Sequence, residues 1–103
     1  MVCFDFFVFL VKQGVPSDED LERLSRKLEK WKRVGRRLKI EEGSLTAFDN
    51  EDNDFSEKIY KMLLHWKRRD SSAATYTVLH DALCHRLVNR TDLAEEICCQ
   101  LQE

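Results

Sequence analysis

A histidine and a cysteine four residues apart are the first side chains in this sequence that could do chemistry. His80 and Cys84 would share one face of a helix, and His85 follows directly. Imidazole and thiolate are zinc ligands, but a structural zinc site takes four ligands in recognisable pairs, and the sequence has no CxxC or HxxxH pair. We therefore interpret these residues as packed or solvated positions, and we expect no metal and no other cofactor.

Catalysis by a cysteine and a histidine has equally little support. Such a pair must be assembled in space, and it needs donors for the oxyanion that forms during the reaction. The sequence has neither a glycine-rich turn nor a nucleophile motif, and it lacks a phosphate-binding loop. We therefore do not expect an enzyme.

Charged side chains are more informative, because they are unevenly distributed. The 103 residues carry 17 Lys and Arg against 19 Asp and Glu, which gives a net charge of −2. Residues 27–39 hold seven basic residues and one acid, whereas residues 41–54 hold six acids and no basic residue. The overall balance argues against a dedicated nucleic-acid binder, since phosphate binding normally needs a basic excess. Two adjacent regions of opposite charge are better suited to contacts between proteins.

The cysteines and the amino-terminal segment bear on where the protein works. Cys98 and Cys99 are adjacent and the four cysteines show no disulfide framework, so we interpret all four as reduced thiols of a cytoplasmic protein. Residues 1–16 form a hydrophobic segment that is too short for a membrane span of ~20 residues, and no signal-peptide pattern is present. The segment is either extra packing, the end of a longer gene product, or a membrane-associating end.

Residues 17–103 form a second region, which begins after Gly14 and Pro16 and contains six predicted helices. Each helix has one apolar face that cannot be buried alone, so a compact antiparallel bundle is predicted. The predicted apolar faces are Leu21, Leu24 and Leu28; Trp31, Val34 and Leu38; Leu45 and Phe48; Phe55, Ile59, Met62, Leu63 and Trp66; Val78, Leu79, Ala82, Leu83 and Leu87; and Leu93, Ile97 and Leu101.

Side chains that cap helix amino termini locate several of the helix starts. The predicted caps are Ser17, Ser44, Asp54 or Ser56, and Thr91. Residues 49–54 are expected to form a polar loop, and the fifth helix is expected to cover about residues 75–87. Trp31 and Trp66 lie on apolar faces, so we expect both in the core and not as stacking platforms for bases.

Three sequence blocks, in order and at matching spacing, resemble the death-domain family. The first is similar to the region of the family's second and third helices, and it reads Trp31-x-x-Val34-Gly35-x-x-Leu38-x-Ile40-x4-Leu45-x-x-Phe48. The second block runs from Phe55 through Ile59 and Leu63 to Trp66, and the third contains Ala74, Thr75, Leu79, Ala82 and Leu83. Within the family, the pattern is most similar to death domains of the Fas-associated adaptor type.

The resemblance implies an all-α, six-helix antiparallel bundle of Greek-key topology over residues 17–103. It also implies a non-enzymatic module that binds the death domains of receptor tails or adaptors. The processes that it implies are apoptotic or inflammatory signal transduction.

Partner binding is expected at charged helix surfaces, where a basic surface would meet an acidic surface on another death domain. Arg36 is the leading candidate, because a planar guanidinium can bind a carboxylate bidentately. If both surfaces act on one molecule, the contacts run head-to-tail. The alternatives are that these charges are merely solvated, or that the chain is a small helical nucleic-acid-binding domain that uses the basic helix 30–39. The predicted partner-binding residues are Lys32, Arg33, Arg36, Lys39, Glu41, Glu42, Asp49 and Asp52.

Overall fold

The structure, a computed structural model, describes residues 9–101 of the chain. These residues form six α-helices, one 3-10 turn and two short strands. The helices are α1 (Asp18–Ser25), α2 (Trp31–Arg37), α3 (Glu42–Glu51), α4 (Phe55–Asp70), α5 (Tyr76–Cys84) and α6 (Thr91–Cys98). The 3-10 turn is Ser71–Ala73, and the strands are β1 (Phe9–Val11) and β2 (Cys99–Leu101). The prediction of an all-α, six-helix bundle is confirmed.

Two of the predicted helix caps are present. Ser17 Oγ accepts a hydrogen bond of 3.1 Å from the Asp20 backbone N–H, and Asp54 Oδ1 accepts one of 3.1 Å from the Glu57 backbone N–H. Each bond satisfies a backbone donor that the first turn of a helix leaves without an intrahelical partner. Thr75 caps α5 in the same way.

The predicted caps at Ser44 and Thr91 are wrong. Helix α3 begins at Glu42, whose carboxylate suits the positive end of a helix, so Ser44 lies inside the first turn. Helix α6 begins at Thr91 itself, after an N-cap residue that makes no side-chain cap bond. The prediction of a loop over residues 49–54 is also wrong for its first part, because α3 continues to Glu51. As a result, Asp49 is a helical residue.

The hydrophobic core is centred on α4. Ile59, Met62, Leu63 and Trp66 are fully buried, and Trp31 is nearly so. Both tryptophans therefore lie in the core as predicted, where truncation of such a side chain to alanine typically costs about 3–5 kcal/mol. The predicted core residues of α1 and α2 are buried around them.

Three residues that the sequence assigned to the core are exposed instead. Phe55 is 50% exposed, Val78 is 39% exposed and Leu87 is 48% exposed. Phe55 is the first residue of α4, one turn before that helix enters the core. Leu87 lies beyond the end of α5 at Cys84, so it does not share the buried face of that helix. The prediction that these residues belong to the core is wrong.

Helix α2 packs unusually close to its neighbours at Gly35. A Cβ atom at this position would lie only 2.6 Å from Cδ2 of the buried Leu45 on α3, and 3.5 Å from Sδ of Met62 on α4. A larger residue would therefore push α2 away from α3. The close approach brings one side of α2 next to the acidic side chains of α3.

The sequence did not predict the two strands. β1 and β2 pair antiparallel, with Phe9 opposite Leu101 and Val11 opposite Cys99. The pairing continues in a 2.8 Å bond from Lys12 N to Cys98 O. Part of the amino-terminal segment therefore packs on the helices, while the boundary at residue 17 stays a prediction. Residues 1–8, and with them most of the hydrophobic segment, lie outside the described residues.

The cysteines differ from one another in oxidation state. Cys98 and Cys99 are buried free thiols, and burial raises the pKa of both. Cys84 is disulfide-bonded, so the interpretation of all four cysteines as reduced is wrong for this residue. Cys3 lies outside the described residues.

Asp20 is a nearly buried carboxylate that joins three separate parts of the chain. It is 8% exposed, and it accepts hydrogen bonds from Lys12 Nζ at 3.1 Å, Arg23 Nη1 at 2.9 Å and Tyr76 Oη at 2.5 Å. Tyr76 Oη in turn accepts a bond from Ser17 N. Burial alone would raise the pKa of Asp20, but the hydrogen bonds from Tyr76 and Lys12 lower it overall. The sequence suggested only that Asp20 favours the start of α1.

Replacing Asp20 with alanine should lower the free energy of unfolding by about 2–4 kcal/mol, because Lys12, Arg23 and Tyr76 would lose their shared acceptor. Urea unfolding followed by circular dichroism measures the change. Glu19→Ala is the matched control: Glu19 lies in the same turn but is exposed, so the expected change is no more than about 0.5 kcal/mol. Equal losses in the two variants would contradict a special role for Asp20.

Candidate protein-interaction surface

The basic residues of α2 form two rows along the helix. Lys32 and Arg36 make one row and Arg33 and Arg37 make the other, since residues four apart lie on the same side of a helix. The first row faces α3. The second row faces α5 and the loop that follows it. The first row therefore lies next to acidic side chains, whereas the second lies next to a histidine and a backbone carbonyl.

The first row is paired with acids of α3. Lys32 Nζ lies 2.7 Å from Asp49 Oδ2, and Arg36 Nε lies 2.6 Å from Glu42 Oε2, with a second bond of 3.3 Å from Nη2 to Oε1. Asp49 is shared, because Lys58 Nζ of α4 lies 2.8 Å from its other oxygen. These side chains are partly exposed to solvent, apart from that of Lys58, of which only a small part is exposed.

These pairs shift the titration of the acids. Hydrogen bonds from Lys32 and Lys58 lower the pKa of Asp49 to about 2. The hydrogen bond from Arg36 lowers the pKa of Glu42, and the same bond raises the pKa of Arg36. The two carboxylates are therefore ionised at neutral pH. Together with the two cations they form one contiguous surface, which we call the α2–α3 charge surface (Lys32, Arg36, Glu42 and Asp49).

The other four predicted site residues lie outside this surface. Arg33 Nη1 donates to the Leu87 carbonyl at 3.1 Å, and Lys39 follows α2 with a left-handed φ of 66°. Asp52 accepts bonds from the Asp54 backbone and from Lys61, which lower its pKa. Glu41 is the exposed N-cap residue of α3. The structure thus brings four of the eight residues together and disperses the rest.

Three cationic or ionisable residues that were not predicted as site residues lie at or next to the second row of α2. Arg37 Nη1 is 3.3 Å from His85 Nε2, and Arg86 follows in the same loop. Burial, and then the positive charges of Arg37 and Arg86, lower the pKa of His85. The spacing of Arg33 and Arg37 was visible in the sequence, but the proximity of the α5–α6 loop was not.

The residues considered for a metal site are not arranged as one. Cys84 Sγ lies 3.9 Å from both ring nitrogens of His80, while His85 contacts Arg37. Within residues 9–101, no three His, Cys, Asp or Glu side chains are grouped so that they could hold a metal ion. Over the same residues, no helix is both long enough and apolar enough to cross a membrane.

The bundle of six helices is the architecture of a class of protein, the interaction modules of the death fold. Residues 18–98 match the family model described as Death domain, so the chain belongs to the death-domain family. No curated protein and no solved structure matches the chain. The narrower similarity to death domains of the Fas-associated adaptor type therefore gains no support.

Membership of this family fixes the general activity. Death domains are protein–protein interaction modules and not enzymes, and they contact other domains of the death fold. The six-helix antiparallel bundle predicted from the resemblance is the fold of this family.

Acid should weaken the fold through Asp49. Its pKa is lower in the folded chain than the ordinary 3.8, so its contribution to stability is complete above about pH 4 and is lost as the pH falls through about 2. Urea unfolding at a series of pH values should show a steeper loss in the wild type than in Asp49→Asn. An NMR titration of the Asp49 carboxyl carbon should give a midpoint near 2.

The matched control for this experiment is Asp81→Asn. The Asp81 side chain is 77% exposed, and it lies 3.7 Å from the His80 ring instead of pairing with a Lys or Arg. This variant should keep the acid dependence of the wild type. If Asp49→Asn and Asp81→Asn gave the same pH profile, the two lysines would not be stabilising the ionised Asp49.

Proposed function

We propose that the chain binds other death domains through the α2–α3 charge surface, in apoptotic or inflammatory signal transduction. Its partners would be the death domains of receptor tails or adaptors in the cytoplasm. The observation that supports this proposal is that cations and carboxylates alternate on one partly exposed surface of a death domain. The other predicted residues, Arg33, Lys39, Glu41 and Asp52, would act at its margins or at separate contacts.

An alternating surface is well suited to selecting partners. Its pairs stay in contact with water, where exchanging one ion-pair partner for another changes the free energy little. A partner with charges in the complementary order can therefore replace internal pairs with pairs across the interface. A partner with the wrong order meets like charges, which are costly to bring together.

The nucleic-acid alternative has less support. Lys32 and Arg36 are held against Asp49 and Glu42, so a phosphate backbone that approached these cations would also approach two carboxylates. A binder of nucleic acid gains its affinity from cations that neutralise phosphates. The remaining cations of helix 30–39 could still contact a polyanion, and the experiment below separates the two functions.

Arg36→Glu should abolish capture of the full chain's death-domain partner in a pull-down against a panel of death domains. The reversed charge would repel both Glu42 and the carboxylates of a partner, while the far-ultraviolet circular dichroism should stay that of the wild type. Arg68→Glu is the matched control, since Arg68 is an exposed cation in the last turn of α4 and is not part of the α2–α3 charge surface. This control should bind as the wild type does.

Two further arms identify the cause of any loss. In Arg36→Glu/Glu42→Arg the internal pair is restored with its order reversed, so binding should stay lost if the pattern of charges matters. Recovery in that double variant would instead mean that the pair acts by holding α2 to α3. Capture that an excess of nucleic acid abolishes, or no capture by any member of the panel, would count against the proposed function.

A further inference from the structure

An open cleft lies between α3 and α4, and it shares no residue with the α2–α3 charge surface. Its volume is about 470 Å³, which is within the range of ~300–1,000 Å³ that is usual for small-molecule sites. One wall is made by Phe48 and Glu51 of α3. The other wall is made by residues of α4, which are Lys61, Leu64, His65, Arg68 and Arg69. The cleft therefore has room for a small ligand.

The apolar part of the cleft is formed by Phe48 and Leu64. Both side chains are partly buried and pack against the hydrophobic core, so the fold holds them in position. The Phe48 ring also lies 5.5 Å from the His65 ring, in an edge-to-face arrangement with an interplanar angle of 60°. Aromatic side chains that the fold holds in this way can serve as stacking surfaces for a flat ring such as a nucleobase.

The end of the cleft at the last turn of α4 is cationic. Arg68 is exposed there, and no Asp or Glu within residues 9–101 forms a salt bridge with it. Arg69 donates two hydrogen bonds to the Asp70 carboxylate and two more to backbone carbonyls at the end of α2. A guanidinium has five N–H donors, so Arg69 has one left for a ligand. A phosphate, with three terminal oxygens, can accept from both arginines at once.

The opposite end of the cleft offers a donor and an acceptor side by side. Lys61 Nζ lies 3.5 Å from Glu51 Oε1 and 3.3 Å from Asp52 Oδ2. These contacts are long and partly exposed, so they cost little to exchange for contacts with a ligand. An ammonium beside a carboxylate matches the edge of a nucleobase, where an acceptor atom lies beside an N–H donor. A phosphotyrosine ring has no such edge.

The distance between the two ends also suits a nucleotide. Lys61 and Arg68 are seven residues apart on α4, which corresponds to about 10 Å along the helix axis. An extended nucleoside monophosphate, with its base at one end and its phosphate at the other, has a comparable length. Inorganic phosphate would reach only one end of the cleft.

We propose that the cleft between α3 and α4 binds a nucleoside monophosphate. The base would lie on Phe48 and Leu64 with its polar edge toward Lys61, and the phosphate would accept hydrogen bonds from Arg68 and Arg69. This inference goes beyond the proposed function and does not depend on it, because the cleft and the α2–α3 charge surface have no residue in common. The phosphate would be held by side chains, so a phosphate-binding loop is not required.

A titration of the full chain with adenosine monophosphate, followed by ¹H–¹⁵N NMR, tests the proposal. Because the cleft is open, we expect a dissociation constant of about 0.1–1 mM. The backbone signals that shift should be those of α3 and α4 around Phe48, Leu64 and Arg68. Adenosine lacks the phosphate and inorganic phosphate lacks the ring, so each should bind at least about tenfold more weakly than adenosine monophosphate.

Two substitutions address the two parts of the site separately. Arg68→Gln removes the cation that has no carboxylate partner, so the affinity for adenosine monophosphate should fall about tenfold or more. Phe48→Leu keeps an apolar side chain but removes the stacking surface, so the affinity should fall about fivefold or more. Arg68 is exposed, so Arg68→Gln should keep the NMR spectrum of a folded chain and remains informative if Phe48→Leu does not fold.

The matched control is Arg86→Gln. Arg86 is also exposed and forms no salt bridge within the described part of the chain, but it lies in the loop between α5 and α6. The substitution changes the net charge by the same amount as Arg68→Gln. Its affinity for adenosine monophosphate should therefore equal that of the wild type.

Four results would overturn the proposal. The first is no binding of adenosine monophosphate at about 10 mM, well above the expected dissociation constant. The second is a loss in Arg86→Gln equal to that in Arg68→Gln, and the third is inorganic phosphate that binds as tightly as the nucleotide. The fourth is a phosphotyrosine peptide that occupies the cleft more tightly than adenosine monophosphate. None of these results bears on the proposed function, which is tested at Arg36.

Discussion

The carboxylate of Asp20 has to stay ionised where little water reaches it, and this requirement organises one side of the bundle. Both of its oxygens need donors, because burying an ion without partners is far more costly than burying a paired one. Lys12 and Tyr76 serve one oxygen, and Arg23 serves the other. Since these donors come from the segment after β1, from α5 and from α1 itself, the carboxylate fixes the position of all three. Lys12 directly follows β1, so its bond to Asp20 also helps to hold β1 in place beside β2 and the end of α6.

The second constraint is the absence of a side chain at Gly35. It decides which cations of α2 form ion pairs with α3 and which do not. The close approach of α2 to Leu45 brings the row of Lys32 and Arg36 within reach of acids on α3. The other row of α2 lies on the far side of the same helix, where it meets the loop that contains His85. One short helix therefore provides a neutralised surface and a cationic one. Each row has two cations, so the difference between the two surfaces comes from how the backbones pack and not from the number of charges.

The core was largely predictable from the sequence, whereas the pairing of charges was not. The spacing of Trp31, Val34 and Leu38 identified a buried helical face, because such periodicity reflects burial directly. Phe55 and Val78 satisfied the same periodicity and are exposed, since periodicity does not reveal where a helix leaves the core. The basic and acidic regions were correctly seen as opposite in charge. Their spacing along the chain could not show that Arg36 would meet Glu42 within one molecule, nor that Lys12 would reach Asp20.

The antiparallel pairing of Phe9 with Leu101 has a mechanical consequence. The backbone passes into and out of the described domain at neighbouring points, at one end of a two-stranded sheet. Tension applied between these points would load the rungs of the sheet one after another, beginning with the outermost, instead of shearing all of them together. The strands would therefore peel apart at low force while the helices stay packed. For the same reason, a short linker would suffice to join these two points in a circularly permuted chain, or to carry the whole domain as an insertion within another protein.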